Sequence, residues 1–296
     1  MTFANAFEAV RLAHSDGFAG VELSEDHLHR LAERKPNALR LIRSFSQDHR
    51  MINSIHKTLL RPSIDSENEN QRRLAVQYTL RTLDYMESAA IPRIVLHSFT
   101  DMPAFFELRG ERANSGLYAI ASQGIKFYRV IAPLLKAHRK SRAQKLQNNF
   151  LKSLSEIAGY SQDKRGYRSN IQVVFEEHYS DCIDYECVSY GKGKFSNVIR
   201  GIDTAHQLIR TGKDNDLSEV SGPIHFHAVD TDGWIDDHRT IGTGRVRFDN
   251  VLSNVMRRKL TETVVLENGT RRSALESKVV LEALIRRQRV VESTSM

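Results

Sequence analysis

Short runs of apolar residues alternate along the chain with longer segments whose apolar residues recur at helical spacing. Seven of these runs have the length and composition of buried strands. They are residues 18–23, 51–56, 92–98, 170–176, 197–203, 223–229 and 263–267. Strands that alternate with helices predict a parallel sheet built from right-handed crossovers.

The segments between the strands show helical spacing and recognisable helix starts. Residues 4–14 are predicted to be helical. Ser24 is predicted to cap a helix that has two acidic residues in its first turn and continues to about residue 46. Residues 66–89 are predicted to form an amphipathic helix. Its apolar positions are Leu74, Tyr78, Leu80, Leu83 and Met86.

The number and order of these elements favour a (β/α)8 TIM barrel, formed as one domain by residues 1–296. No Gly-rich phosphate loop follows the first strand, which argues against a nucleotide-binding sheet. Because the chain begins in a helix, the first of the eight barrel strands is expected to be missing or truncated. Residues 99–169 contain no clear strand and are predicted to be a helical insertion, and residues 273–291 form a closing helix.

Composition and charge narrow the class of protein. Hydrophobic residues make up 40% of the 296 residues, and no run approaches the roughly 20 apolar residues of a membrane span. The first residues show neither the basic nor the apolar region of a signal peptide, so none is expected. Two cysteines do not indicate a disulfide framework. We therefore expect a cytoplasmic protein. The net charge of +7 and the pI of about 9.4 favour a polyanionic partner, nucleic acid first.

Residues that can bind metal ions recur at the ends of the predicted strands. In a β/α barrel these ends converge on the face that carries the active site. Six consecutive strands end in such a residue, and three more candidates lie just beyond strands. The strand-end residues are His56, His97, Glu176, Asp203, His227 and Glu267, and the three others are His206, Asp236 and His238. Imidazoles and carboxylates without thiolates suit Zn²⁺, Mn²⁺ or Fe²⁺, and nine ligands suit two or three ions.

Each of these residues also has an ordinary structural interpretation. A single strand histidine is more often a core residue, and Asp203 can cap the helix that carries His206. Six successive strand ends of this kind are harder to explain by coincidence, which favours the metal-site hypothesis.

The motifs around the nine residues resemble the xylose-isomerase-like barrel superfamily and, within it, the endonuclease IV family of apurinic/apyrimidinic endonucleases. The resemblance runs from about residue 17 to the last helix and covers all nine ligand positions of that family. The shared motifs are VLH at His97, VVFE at Glu176, IDTAH at Asp203 and His206, HAVD at His227, DDH at Asp236 and His238 before IGTG, and VVLEN at Glu267, with His56 directly after a strand.

The resemblance implies a fold, a cofactor and an activity. It implies two or three zinc ions, with manganese as the alternative, that activate water for attack on a phosphodiester. It divides the ligands into three sets: His56, His97 and Glu176; Glu176, Asp203, His227 and Glu267; and His206, Asp236 and His238. Glu176 would bridge two ions and, with Glu267, would be a catalytic carboxylate. The implied substrate is DNA at abasic sites.

The parts that would contact DNA differ from the family pattern. The early segment GVELSEDHLHRL is acidic, and the residues after His56 lack the expected tyrosine. A basic stretch of the insertion is the candidate replacement for these contacts, or else it is a solvated helical face. It contains Lys136, Arg139, Lys140, Arg142 and Lys145.

Other functions fit the same barrel. In a sugar isomerase or epimerase, Glu176, Asp203, His227 and Glu267 would hold one Mn²⁺ or Co²⁺, and the two glutamates would move protons beside a carbonyl of a small sugar. An ultraviolet-damage endonuclease also fits the ligands, and a barrel without activity would be a binding module. Four residues discriminate between these functions, because an isomerase does not need all of them: His56, His97, Asp236 and His238. The sequence leaves the oligomeric state open.

Overall fold

The computed structural model describes residues 5–57, 63–97, 144–162, 171–176, 195–212, 217, 220, 222–233, 236–261 and 263–294. Within them lie seven strands, each overlapping one of the predicted apolar runs. The strands are β1 (Glu22–Ser24), β2 (Ser54–His56), β3 (Arg93–His97), β4 (Gln172–Glu176), β5 (Val198–Asp203), β6 (Ile224–Ala228) and β7 (Val264–Leu266). The strand predictions are therefore confirmed.

The helices of the described residues alternate with the strands as predicted, but one predicted helix is divided into two and another begins later than predicted. They are α1 (Ala6–Ser15), α2 (Glu25–Arg34), α3 (Asn37–Asp48), α4 (Glu69–Ala89), α5 (residues 144–161), α6 (Thr204–Thr211), α7 (Phe248–Arg257) and α8 (Arg271–Thr294). The prediction of one helix from Ser24 to about residue 46 is wrong. Pro36 separates α2 from α3, because a proline disfavours helical backbone at the residue before it.

The N-caps of α2 and α4, and the set of buried side chains on α4, also differ from the prediction. Ser24 lies at the N-cap position of α2 without a side-chain capping hydrogen bond. Helix α4 begins later than predicted, where the Asn68 side chain accepts hydrogen bonds from two backbone N–H groups. Leu74, predicted to lie on its apolar face, is exposed, whereas Thr79 and Thr82 are buried. The buried face of α4 is therefore partly polar.

The strands pair in parallel in the order in which they occur in the chain, β1-β2-β3-β4-β5-β6-β7. The register places Leu23 beside Ile55 in the pair β1–β2 and His97 beside Glu176 in the pair β3–β4. In the pair β6–β7, His227 lies beside Val265. Parallel neighbours bring their C-terminal ends to the same edge of the sheet, which is where the predicted ligands stand.

The chain divides into two compact units, with the boundary inside β5 after Arg200. In the N-terminal unit, helices α1 to α5 and strands β1 to β4 share one apolar core. Phe150, Leu154 and Ile157 of α5 are part of it. The last part of the predicted insertion, residues 144–161, therefore belongs to the framework of this unit.

A buried arginine also connects α4 to α5. Arg72, on α4, is 1% exposed and donates hydrogen bonds to Glu69, Ser153 and Glu156. Two of these partners lie on α5, so the charge is neutralised between the helices.

The C-terminal unit has its own apolar core. Strands β6 and β7 contribute Phe226 and Val264, and helices α7 and α8 cover them with residues such as Val251 and Leu281. Within the described part of the chain, no helix has both the length and the hydropathy needed to cross a membrane.

Candidate metal centre

Three predicted ligands meet at the ends of β2, β3 and β4 in the N-terminal unit. The Nε2 atoms of His56 and His97 are 2.9 Å apart, and each is 3.8 Å from Oε2 of Glu176. We call His56, His97 and Glu176 the N-terminal group. Two imidazole nitrogens on one tetrahedral zinc ion are about 3.3 Å apart, so this spacing is close to that of ligands around one ion.

The strand register explains why these side chains meet. His97 and Glu176 are direct neighbours in the pair β3–β4, and both are nearly fully buried. The Nδ1 atom of His56 lies 3.2 Å from the backbone carbonyl of Lys57. A carbonyl only accepts hydrogen bonds, so Nδ1 carries the proton and Nε2 is left with the lone pair that a metal ion needs.

The N-terminal unit also contains a site residue that the sequence reasoning missed. Glu22, on β1, places a carboxylate oxygen within 4.8 Å of a ring nitrogen of His56. The hydroxyl of Ser54, its register partner on β2, donates a 2.6 Å hydrogen bond to this carboxylate. The position of Glu22 near the end of the first strand was the available signal.

Three more predicted ligands meet in the C-terminal unit. Oδ2 of Asp236 is 3.2 Å from Nε2 of His206 and 3.3 Å from Nε2 of His238. We call His206, Asp236 and His238 the C-terminal group. Asp203 also has the predicted capping role, because its Oδ1 accepts a hydrogen bond from the backbone N–H of His206.

The C-terminal group is strongly coupled electrostatically. Burial lowers the pKa of His238, but the hydrogen bond and charge of Asp236 outweigh it and raise the pKa to about 10. Burial raises the pKa of Asp236, and the hydrogen bonds from His206 and His238 outweigh it and lower it well below its usual range. Without an ion, a proton on His238 therefore neutralises Asp236.

The last two predicted ligands, His227 and Glu267, also lie together. Nδ1 of His227 is 3.1 Å from Oε2 of Glu267, and His227 is nearly fully buried. The backbone carbonyl of Glu267 lies 3.1 Å from Nδ1 of His238. This contact leaves Nε2 of His238 directed at Asp236. His225, two residues earlier on β6, is buried and contacts the ring of His227.

The loop that carries Asp236 and His238 is held by a buried carboxylate, Asp230. Its side chain accepts hydrogen bonds from the backbone N–H groups of Gly242, Gly244 and Val246. A Cβ atom at Gly244 would lie 2.2 Å from Asp230, so only glycine fits this approach. His238 itself has a positive φ of 46°, a strained conformation that is common at functional sites.

Both groups have the donor chemistry of divalent metal sites. Each consists of two imidazoles and one carboxylate, all in the range of donors that Zn²⁺ and Mn²⁺ use in proteins. In the C-terminal group a divalent ion would replace the proton of His238 as the cation that offsets the charge of Asp236, so the residues fit an ion. The number and identity of the ions stay predictions.

The predicted DNA contacts have little support. Lys136, Arg139, Lys140 and Arg142 lie outside the described residues. Lys145 lies on α5, is exposed, and forms a 2.9 Å ion pair with Glu67. Its charge is thus partly neutralised by a neighbour of the same unit.

Seven strands in chain order, six of which have a residue that could hold a metal ion at their C-terminal end or next to it, are typical of β/α barrel proteins. The sequence matches the xylose isomerase-like TIM barrel family over residues 10–287. The chain belongs to this family, which confirms the predicted barrel and superfamily. No curated protein matches the chain by sequence.

Three solved structures of similar fold are each distant from this chain in sequence. A D-tagatose 3-epimerase-like protein is 17% identical, with a TM-score of 0.70 over 99% of this chain and 97% of that one. A D-psicose 3-epimerase with D-fructose is 14% identical, with a TM-score of 0.66 over 95% and 94%. A Thermus thermophilus protein soaked with ZnCl₂ is 19% identical, with a TM-score of 0.60 over 94% and 93%. At sequence identities this low, the structural similarity shows the fold alone.

Proposed function

We propose that the protein is a divalent-metal-dependent epimerase or isomerase of a small sugar. The observation that carries this proposal is the set of residues at four consecutive strand ends. Glu176 ends β4, Asp203 ends β5, His227 lies on β6, and Glu267 directly follows β7. One aspartate, one histidine and two glutamates provide ligands for one ion and two carboxylates for proton transfer.

The reaction needs acid–base chemistry next to a carbonyl group. A divalent ion bound by Asp203, His227 and Glu267 of the C-terminal unit would polarise the carbonyl oxygen of the sugar, which would make the neighbouring C–H bond more acidic. One glutamate, Glu176 or Glu267, takes the proton from that carbon. The other returns a proton to the opposite face of the same carbon, which inverts it. Return to the adjacent carbon with movement of the carbonyl gives an isomer instead.

Burial and charge of the described residues suit a small, uncharged substrate. Glu176, Asp203 and His227 are each 1% exposed, so three of the four residues are shielded from bulk water, whereas the side chain of Glu267 is 33% exposed. In the loop of the C-terminal group, Arg239 forms ion pairs with Asp232 and Asp237. This loop therefore carries carboxylates that offset its cation, which suits sugar hydroxyls better than a polyanion. The similarity in fold to a D-psicose 3-epimerase and to a D-tagatose 3-epimerase-like protein supports the same choice.

Solvent exchange tests the proposal across many candidate sugars at once. The protein, loaded with Mn²⁺ or Co²⁺, is incubated in D₂O with a panel of ketohexoses and ketopentoses, and proton NMR follows deuterium incorporation beside the carbonyl. We expect incorporation and a second sugar with wild type, and a loss of about 10²–10⁴-fold with Glu176→Gln or Glu267→Gln.

The matched control is Glu276→Gln. Glu276 lies on the surface of α8, where its partner is Arg272 at 2.8 Å, so this variant should exchange like wild type. No incorporation with any sugar, in protein that holds metal, would refute the proposal.

A second function, phosphodiester hydrolysis at abasic sites in DNA, is favoured by one observation. The N-terminal group and the C-terminal group contain two imidazoles each, which exceeds what one ion needs. Elemental analysis should then find two or three Zn or Mn per chain, reduced in His97→Ala and in His238→Ala. Incision of a duplex with one abasic site, absent with Glu176→Gln, would favour this function over the first.

A further inference from the structure

A buried ion pair of the N-terminal unit lies next to the N-terminal group, and the proposed reaction does not use it. Nζ of Lys57 lies 3.6 Å from Oε2 of Glu25. The side chains are 6% and 0% exposed. Lys57 immediately follows the predicted ligand His56 in the chain.

The Glu25 carboxylate is held from its other side by α4. The Thr82 hydroxyl lies 2.7 Å from Oε1 of Glu25 and 2.8 Å from Nε2 of His29. The His29 ring stacks on Tyr78 with 3.9 Å between ring centroids. We call Lys57, Glu25, Thr82 and His29 the buried network. It connects the end of β2 to helices α2 and α4.

The buried network contributes little net stability to the fold, because burying its charges costs desolvation free energy. A buried ion pair loses most of its Coulomb energy to desolvation, and apolar residues of similar volume often stabilise as well or better. Its presence beside a candidate ligand therefore points to a positional role.

The path from the buried network to His56 is short and uses backbone groups. The N–H of Lys57 donates a 2.9 Å hydrogen bond to the carbonyl of Val95. The carbonyl of Lys57 accepts the proton of His56 Nδ1 at 3.2 Å. With its side chain drawn inward by Glu25, the Lys57 peptide is held at both ends, and its carbonyl stays against the imidazole.

We propose that the buried network is a positioning device that fixes the tautomer and orientation of His56, so that Nε2 faces His97 and Glu176. Metal-binding histidines depend on such second partners, whose loss costs about 10–100-fold in metal affinity. This inference rests on metal binding at the N-terminal group, which has only Glu176 in common with the residues of the proposed function, and not on the identity of the substrate.

The tautomer of His56 is the direct readout. In metal-free, ¹⁵N-histidine-labelled full-length protein, long-range ¹H–¹⁵N spectra distinguish Nδ1–H from Nε2–H, and His56→Gln identifies the His56 signals. We expect wild type to show only Nδ1–H and Lys57→Met to show a mixture of tautomers. The zinc site of the N-terminal group is identified as the one that is lost in His97→Gln. The affinity of this site for zinc should be about 10–100-fold weaker in Lys57→Met.

Arg72→Met is the matched control, because Arg72 is an equally buried cation with carboxylate partners in the same unit. It should lose stability but keep both the His56 tautomer and zinc affinity. If Lys57→Met does not fold, Thr82→Val takes its place, with a smaller change in the same direction.

An unchanged tautomer and unchanged zinc affinity in the folded variant would overturn the inference, whatever sugar or DNA the protein acts on. Conversely, a shifted tautomer without any sugar turnover would keep the inference and remove the proposed function.

Discussion

The N-terminal and C-terminal groups have the same composition, two histidines and one carboxylate, but are built differently. The first stands on the ends of three paired strands, where backbone register sets the distances between side chains. The second takes two of its three members from an irregular loop that depends on the buried carboxylate of Asp230. Positions set by a sheet resist local change, whereas positions set by a loop depend on a few specific hydrogen bonds and one glycine.

The largest expected difference between the two groups comes from Gly244→Ala. The added Cβ would lie 2.2 Å from Asp230 and 2.4 Å from the carbonyl of Thr231, so the loop must move. We expect a loss of about 3 kcal/mol in the free energy of unfolding. Zinc titration should show that zinc binding at the C-terminal group is lost, whereas zinc binding at the N-terminal group is retained.

Gly269→Ala is the control, because nothing lies within 4 Å of its added Cβ. Equal loss of zinc from both groups in Gly244→Ala would show that the groups are not independent.

A second difference is the dependence of metal binding on pH. The pKa of His238 is raised to about 10 from an ordinary value of 6.5, so the protonated ring stabilises the metal-free fold fully below pH 6.5 and loses this effect as the pH rises through 10. An ion must displace that proton. Zinc affinity of the C-terminal group should rise about tenfold per pH unit between pH 7 and 8.

In His238→Gln, the zinc affinity of the C-terminal group should no longer show this tenfold rise per pH unit. Isothermal titration in buffers of different ionisation enthalpy measures the released proton directly. A slope that is identical in wild type and His238→Gln would contradict the assignment.

The smallest effect is expected at Lys145, outside both groups. Its ion pair with Glu67 is exposed, and such pairs contribute less than about 1 kcal/mol. Lys145→Ala should therefore leave zinc affinity, turnover and the chemical denaturation midpoint nearly unchanged. A large loss of DNA affinity in this variant would instead favour the hydrolase function.

The strands and candidate ligands were predictable because both leave local signals. A buried strand is a short apolar run, and a histidine or carboxylate at its end interrupts that run, as at His97 and Glu176. A residue's place at a strand end can be read locally, as for Glu22, but the partner that it meets through register or through a distant element cannot. The proximity of Glu22 to His56, and the buried pair of Lys57 with Glu25, follow from how β1, β2 and α2 pack.

The predictions of helix ends and of the buried face of α4 were wrong for a related reason. Pro36 and Asn68 act on their immediate neighbours, yet a stronger apolar pattern around them masked their effect. Leu74 matched the helical period but lies on the solvent side of α4, because Arg72 and two threonines occupy the inner face. Tertiary packing overrode the pattern there.

The sheet order has a consequence for the sequence of events during folding. Glu22 and Ser54 of β1 and β2 are 32 residues apart, whereas Arg93 and Gln172 of β3 and β4 are 79 apart. For a flexible chain, the longer closure costs about 0.8 kcal/mol more in entropy. We therefore expect β1, β2 and β3 to assemble before β4 joins them. Glu176 then arrives after the two histidines, and the N-terminal group becomes able to hold an ion only late in folding.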